Sequence, residues 1–178
     1  ISDAPTQQST IRWHPSPRDS CKLNCDGAVS NGIASCGGVA RDHNGKFIMA
    51  FSCNLGKCSV VRAELWAIFY GIKLLRERSW DGAIWVETDS AVAVKFLNQG
   101  CIRTHDSYSL VNKIVPIVGD DHEVSCSHIF REANQVADLL AKHGHSLQNR
   151  IVIFSDPPPW IHFALLADLS AVSFFRGF

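Results

Sequence analysis

Three strand-like stretches joined by short turns constrain the fold of this sequence most strongly. They span residues 21–29, 36–42 and 46–54, and the turn-forming segments SNG (30–32) and RDHNGK (41–46) separate them. Because short turns join neighbouring strands that run in opposite directions, the pattern predicts an antiparallel start to a sheet.

A long helix and then a strand and helix alternation follow. Residues 59–78 have helical length, an apolar stripe at helical spacing and Ser59 as a candidate N-cap. AIWVETDS (83–90) is apolar on both faces, as in a central strand. The later stretches predict helices at 90–100, 105–120 and 131–146 and a strand at 123–130. This order predicts an α/β fold with a five-stranded mixed sheet, in which three antiparallel strands precede parallel additions and helices cover both faces.

One domain with a segment on each side accounts for the 178 residues. Residues 1–20 are polar and hold three prolines, which predicts a linker or arm, and residues 21–147 form the domain. Residues 148–178 form a proline-containing apolar tail. Since exposing Trp160 and Phe163 would lower solubility, we expect this tail to dock on the domain or to contact a partner. The N-terminus lacks an initiator Met and a signal-peptide pattern, so we expect a fragment or a processed piece.

The composition argues against several classes of function. Seventeen basic and seventeen acidic side chains balance, so no overall field attracts a polyanion, and a nucleic-acid role requires a local site. The seven cysteines form no CxxC pair, which argues against a disulfide framework or a zinc site and favours an intracellular protein of the nucleus or cytoplasm. The apolar run at 160–175 is shorter than the roughly 20 residues of a spanning helix, so we expect no membrane segment.

Two carboxylates lie in predicted elements where a charge is costly. Asp26 precedes Gly27 within a strand pattern, so it is either the start of a turn or a chemical group. Glu64 lies amid the apolar stripe of the long helix, where a carboxylate needs an ion pair, a hydrogen bond or a metal. A rotation of that helix, bringing Glu64 to solvent at its edge, is the alternative.

Two more carboxylates lie on or beside later elements. Asp89 follows the buried strand, at the edge where open α/β sheets place their ligands, although it could instead cap the next helix. Asp138 shares a polar helix face with Asn134 and Arg131, for which a solvated face is the simpler interpretation. If the four carboxylates converge, divalent cations would stabilise them, and two ions about 4 Å apart can activate water against a phosphodiester.

Four motifs in a fixed order resemble one family. NCDGA, RAELWAI, VETDS and REANQVADLLA are similar to the motifs of the ribonuclease H type 1 domain. In particular, they resemble the plant ribonuclease H-like domains related to the reverse transcriptases of non-LTR retrotransposons. The resemblance covers residues 21–147, and DPPPW in the tail resembles the tails of the same plant group. It implies a ribonuclease H-like fold and a metal-dependent endonuclease that hydrolyses the RNA strand of RNA/DNA hybrids.

The resemblance also implies the site and the partners of the protein. The acids that it assigns to catalysis and metal binding are Asp26, Glu64, Asp89 and Asp138. They would hold two Mg²⁺ ions, for which Mn²⁺ could substitute. Gly27 would let the nucleic-acid backbone approach, while Arg131 and Asn134 would donate to phosphate or to the acids. The expected partners are an RNA/DNA hybrid and a reverse transcriptase or another protein, and we expect the chain to be a monomer.

The sequence departs from the family pattern in places that bear on activity. No glycine-rich loop carries a histidine before the last helix, because His128 falls on a predicted strand, where we expect a structural or solvent-facing role. The connection NQGCIRTHD (98–106) leaves no room for a basic protrusion, which predicts weak, salt-sensitive binding. These departures favour an alternative, a catalytically weak or inactive nucleic-acid-binding module derived from a retroelement. An exonuclease or an integrase fits the REANQVAD helix less well.

Overall fold

Six strands form one mixed sheet in the computed structural model, which describes residues 11–119, 123–148 and 150–176, and only the backbone of 171–176. The strands are β1 (Ser20–Ser30), β2 (Ile33–Asp42), β3 (Phe47–Gly56), β4 (Ala83–Thr88), β5 (Val124–His128) and β6 (Ile151–Phe154). Their order across the sheet is β5-β4-β1-β2-β3-β6. Antiparallel pairing joins β1 to β2, β2 to β3 and β3 to β6, whereas β4 runs parallel to β1 and β5 parallel to β4. The mixed sheet with an antiparallel start is therefore confirmed.

The prediction of five strands is wrong by one, because the tail supplies β6. Ile151–Phe154 pairs with β3, which would otherwise be the edge of the sheet. An uncovered edge presents unpaired backbone donors and acceptors, and a short apolar segment that follows the domain can satisfy them. Sequence patterning placed this segment in the tail and so left it out of the sheet.

Helices cover both faces of the sheet. They are α1 (Val60–Glu77), α2 (Ala91–Gln99), α3 (Tyr108–Ile114), α4 (Gln135–His143) and α5 (His162–Arg176). The side chain of Ser59 accepts a hydrogen bond from the Arg62 amide at 3.3 Å, which confirms the predicted N-cap of α1. The predicted helix at 105–120 ends earlier, where a short 3₁₀ turn holds Pro116. The predicted start of the last helix is four residues too early, because residues 131–133 form a 3₁₀ turn.

The main core lies between α1 and one face of the sheet. Its largest fully buried side chains include Leu23, Phe51, Leu65, Ile68 and Ile84, which come from α1 and three strands. The alternation of β1 sends Leu23 and Cys25 into this core. The packing of α1 against β1 fixes the positions of the residues of one element relative to those of the other.

The second face of the sheet is covered by α4 together with segments from both ends of the chain. Trp13, within the predicted arm, is buried, and its indole Nε1 donates to Asn24 Oδ1 at 3.0 Å. From the tail, Ile161 is fully buried, and Asp168 accepts a 2.6 Å hydrogen bond from the buried Arg41 guanidinium. The tail therefore docks on the domain, one of the two outcomes expected from its apolar residues. Within the described residues, no helix has both the length and the apolarity needed to cross a membrane.

Candidate active site

Asp26 lies where β4 stops beside β1. In the parallel pairing of these strands, Cys25 is the partner of Thr88, the last residue of β4, so Asp26 is one residue beyond the paired segment. Its side chain is buried, and Oδ1 accepts a hydrogen bond from the Gly27 amide at 3.0 Å. The turn interpretation of Asp26 is wrong, because β1 continues to Ser30 and the turn follows it.

Gly27 brings Asp26 close to α1. A Cβ at Gly27 would lie 2.6 Å from the Glu64 backbone nitrogen and 2.7 Å from the Ala63 carbonyl carbon, so only glycine allows this approach. The clearance at Gly27, which the sequence analysis assigned to a nucleic acid, is taken up by α1. Glu64 is buried, and its Oε2 accepts a hydrogen bond from Thr88 Oγ1 at 3.2 Å, so the rotated-helix alternative is wrong.

Asp89 completes a group of three carboxylates. The N-cap of α2 is Ser90, whose Oγ accepts from the Ala93 amide at 3.2 Å, and the capping interpretation of Asp89 is therefore wrong. Asp26, Glu64 and Asp89 each offer a carboxylate oxygen, and these oxygens lie within 4.8 Å of one another. They come from β1, α1 and the end of β4, so packing rather than local sequence assembles them. We call these three residues the acidic cluster.

Burial and mutual repulsion perturb the acidic cluster. Burial, followed by the charges of Glu64 and Asp89, raises the pKa of Asp26 to about 10. Burial raises the pKa of Glu64 to about 7, while hydrogen bonds from Asp26, the Gly27 amide and Thr88 oppose the rise. Both shifts mean that one proton is held between these carboxyls when no cation is present. A divalent cation bound to these oxygens would favour the charged carboxylates and so lower both pKa values again.

Asp138, the fourth predicted acid, lies near the acidic cluster but outside it. Its Oδ2 accepts a hydrogen bond from Lys142 Nζ, one turn further along α4, at 2.8 Å. Its charge nevertheless contributes to the raised pKa of Asp26. Arg131 lies beside the acidic cluster, with Nε 3.7 Å from Asp89 Oδ2 and a side chain that is 84% exposed. Three of the four predicted acids converge, and an exposed guanidinium lies at their rim.

Asn134 has a different position from the one expected of a phosphate donor. It is buried, its Nδ2 donates to the Cys25 carbonyl at 2.9 Å, and its Oδ1 accepts from Asn24 Nδ2 at 3.1 Å. Both ends of the amide are therefore used inside the protein, where they join the start of α4 to β1. The sequence analysis did not single out Asn24, and no local pattern marks it, because its partners are distant in the chain.

His128 lies at the edge of the sheet where β4 ends, next to Asp89. The histidine is the last residue of β5 and is exposed, as expected, with its ring 5.7 Å from that of Phe130. However, the parallel register pairs it with Thr88, the residue before Asp89. The sequence could have indicated this position, because the carboxyl ends of adjacent parallel strands, here β4 and β5, meet at one edge of a sheet.

The donor set of the acidic cluster fits a hard divalent cation. All of its potential ligands are carboxylate oxygens, which Mg²⁺ prefers. Asp26 and Glu64 are buried, and within the described part of the chain neither forms an ion pair. The seven cysteines are free and contribute no thiolate to this cluster. The site is thus suited to a cation that retains water or phosphate oxygens in the rest of its coordination shell.

The sheet order and the helices flanking it define a ribonuclease H fold. Ribonuclease H1 of the archaeon Halobacterium salinarum is similar, with a TM-score of 0.61 and 20% identity over 71% of this chain and 98% of that chain. LC11 ribonuclease H1, from a compost metagenome, was solved in complex with an RNA/DNA hybrid. It has a TM-score of 0.60 and 21% identity over 69% of this chain and 94% of that chain.

The sequence comparison gives the family. Residues 24–144 match the family described as reverse transcriptase-like, and the chain belongs to that family. An Arabidopsis thaliana protein whose name contains the words "ribonuclease H protein" is 40% identical over 128 residues, which are 71% of this chain. The matched segment spans only 20% of the length of that relative.

Proposed function

We propose that this protein is a metal-dependent ribonuclease that hydrolyses the RNA strand of RNA/DNA hybrids. The observation that carries the proposal is the convergence of Asp26, Glu64 and Asp89 from three separate elements to within 4.8 Å. Membership of the reverse transcriptase-like family and the ribonuclease H fold support it. The hybrid bound in the LC11 ribonuclease H1 structure supports the choice of substrate.

The proposed metal ligands are the acidic cluster and Asp138, and the proposed cofactor is a pair of Mg²⁺ ions that Mn²⁺ can replace. Bound divalent ions would supply an activated water and neutralise charge on the leaving oxygen of the phosphodiester. Thr88 donates a hydrogen bond to Oε2 of Glu64, which orients this carboxylate within the acidic cluster. Lys142 pairs with Oδ2 of Asp138 at 2.8 Å, so Asp138 would offer its other oxygen, Oδ1, to a cation.

Two side chains at the rim are suited to the substrate. Arg131 has an exposed guanidinium beside Asp89, and such a group binds phosphate oxygens with charge-assisted hydrogen bonds. His128, exposed at the same sheet edge, can accept or donate the proton that phosphodiester hydrolysis moves. Discrimination of RNA from DNA would rest on the ribose 2′-hydroxyl, the group that distinguishes them.

The remaining parts of the proposal concern the biological setting. We propose an origin in a plant retroelement, with the four motifs and the tail as support, and a reverse transcriptase region as a partner. We propose that the domain acts as a monomer inside the cell. The relative from Arabidopsis thaliana is about five times longer than the matched segment, which leaves length for further domains in a protein of that kind.

The test is cleavage of labelled RNA/DNA, RNA/RNA and DNA/DNA duplexes by the wild type and by Asp89→Asn, with Mg²⁺ or Mn²⁺. Asp81→Asn is the matched control, because Asp81 is exposed and lies outside the acidic cluster. We expect the wild type and Asp81→Asn to cut only the RNA strand of the hybrid and Asp89→Asn to lose this activity. Equal rates for Asp89→Asn and the wild type would refute the mechanism.

A further inference from the structure

A groove between α4 and the tail opens beside the acidic cluster, and the proposed cleavage reaction gives no role to the tail side of it. Its volume is about 390 Å³. The side chains that matter in its lining are Arg131, Asp138 and Leu139 on the α4 side and Trp160, Phe163 and Ala164 on the tail side. We call this space the tail groove. It begins at the rim of the acidic cluster, since it shares Arg131 and Asp138 with the surroundings of that cluster.

The tail side of the groove presents aromatic rings to solvent. Phe163 is 86% exposed and Trp160 is 40% exposed. Trp160 is held in place by stacking on His143, with ring centroids 4.4 Å apart and planes 27° from parallel, and by an edge contact with Phe154. The fixed ring of Trp160 and the largely exposed ring of Phe163 offer flat apolar faces of the kind on which nucleobases stack.

The α4 side of the groove supplies a positive charge. Arg131 exposes its guanidinium at the boundary with the acidic cluster. Asp138 would repel a phosphate, but Lys142 pairs with it at 2.8 Å and compensates its charge. Aromatic faces beside a cation are the combination by which proteins bind single-stranded nucleic acid without sequence preference. The groove therefore complements a nucleotide better than it complements an apolar helix of a partner protein.

We propose that the tail groove binds an unpaired continuation of the nucleic-acid strand whose phosphodiester lies at the acidic cluster. Bases of that continuation stack on Phe163 and Trp160, and a phosphate contacts Arg131. The groove has the volume of a small-molecule pocket, roughly 300–1,000 Å³, so it admits a base or two of one strand and excludes a duplex. This inference rests on the proposed function, because the strand in the groove is the continuation of the strand that is cut at the acidic cluster.

The test is fluorescence anisotropy in EDTA, at low salt, with a labelled blunt hybrid and with the same hybrid carrying a short unpaired extension of the RNA at its 5′ or 3′ end. We expect one of the two extensions to lower Kd at least about fivefold, the effect of one stacked base. Phe163→Ala should remove this advantage. The matched control is Leu166→Ala, a residue of α5 that is 62% exposed and lies outside the groove lining, and it should keep the advantage.

Equal Kd values for blunt and extended hybrids would overturn the inference, as would an advantage that survives Phe163→Ala. The alternative is that the groove is an interface between two copies of this chain, and light scattering tests for such self-association. If Phe163→Ala abolishes self-association and the extension has no effect on Kd, the groove is that interface and the inference fails. Cleavage of the blunt hybrid by the wild type reports on the proposed function separately. An extension advantage without cleavage would retain the groove as a binding site and refute the ribonuclease.

Discussion

The carboxylates of the acidic cluster oppose folding when no cation is bound. Asp26 and Glu64 are buried side by side, and the raised pKa of each follows from lost hydration and from the neighbouring negative charges. A group whose pKa is higher in the folded than in the unfolded protein stabilises the fold only while it holds its proton. This stabilisation is complete below the pKa of the unfolded protein and is lost as the pH rises from that pKa to the pKa of the folded protein.

Asp26→Asn tests this electrostatic cost. The pKa of Asp26 rises from 3.8 to about 10, so the metal-free wild type should lose stability as the pH increases through that interval. At pH values near 8, the metal-free variant should be more stable than the wild type by about 1–3 kcal/mol, with a flatter pH profile. Mg²⁺ should then stabilise the wild type and not the variant. Urea denaturation at several pH values measures this, and a metal-free variant that is less stable at every pH would contradict it.

His128→Ala tests the role that the sheet register gives to this histidine. General acid and base groups typically contribute about 100-fold or more to a rate, so we expect kcat to fall roughly 100-fold with little change in KM. Cleavage of the RNA/DNA hybrid by the variant and by His162→Ala, an exposed histidine of the tail, measures this effect. An unchanged kcat would mean that His128 is only a structural or solvent-facing residue, as its sequence position predicts.

At the scale of elements, the contact between β1 and α1 assembles the site. It depends on Gly27, where any Cβ would strike the backbone of Glu64. Gly71 lies on the same interface, but a Cβ there would meet the methyl groups of Leu23, which can move. An added Cβ therefore meets rigid backbone at Gly27, beside the site, but only a movable side chain at Gly71, in the core.

Gly27→Ala should be destabilised by about 1–3 kcal/mol, as overpacking typically costs, and should lose Mg²⁺ affinity because Asp26 and Glu64 move apart. Gly71→Ala should be destabilised less and should bind Mg²⁺ as the wild type does. Thermal denaturation and calorimetric titration of Mg²⁺ measure the two effects. Loss of Mg²⁺ binding in both variants, or in neither, would contradict the assigned role of Gly27.

The sequence predicted the elements and the acids of the site, and its errors have physical causes. Asp26, Glu64 and Asp89 could be predicted because each is a carboxylate where local patterning makes a charge costly. Asn134 and Gly27 were assigned to a nucleic acid, whereas the protein itself uses them through contacts between residues distant in the chain. The strand β6 was missed because a four-residue segment becomes a strand only when a sheet edge is available.

At the scale of the whole molecule, both ends of the described chain are tied to the second face of the sheet. The buried guanidinium of Arg41 lies 4.0 Å from the Trp13 ring centroid, donates to Asn24 Oδ1 at 3.1 Å and pairs with Asp168 of α5. Asn24 also donates to Asn134, which leads from this network to the start of α4. The arm and the tail are therefore connected to the element that carries Asp138.

Asp168→Asn should destabilise the protein, because Arg41 would then be a buried charge without its ion-pair partner. Removing one partner of a buried ion pair leaves the other uncompensated, and we expect a loss of about 2–4 kcal/mol in the free energy of unfolding. Asp156→Asn is the control, because Asp156 is an exposed residue of the same tail. Urea denaturation distinguishes the two. Equal stability of both variants would mean that α5 adds nothing to the fold through this pair.

The most direct test of the central claim is the rate of RNA-strand cleavage in an RNA/DNA hybrid, measured across Mg²⁺ concentrations for the wild type and Glu64→Gln. Glu64→Gln keeps the shape of the side chain and removes the charge that a cation needs. We expect no cleavage in EDTA, a rate that rises with Mg²⁺ for the wild type, and a loss of at least about 100-fold in the variant. Cleavage in EDTA, or an equal rate for Glu64→Gln, would contradict the central claim.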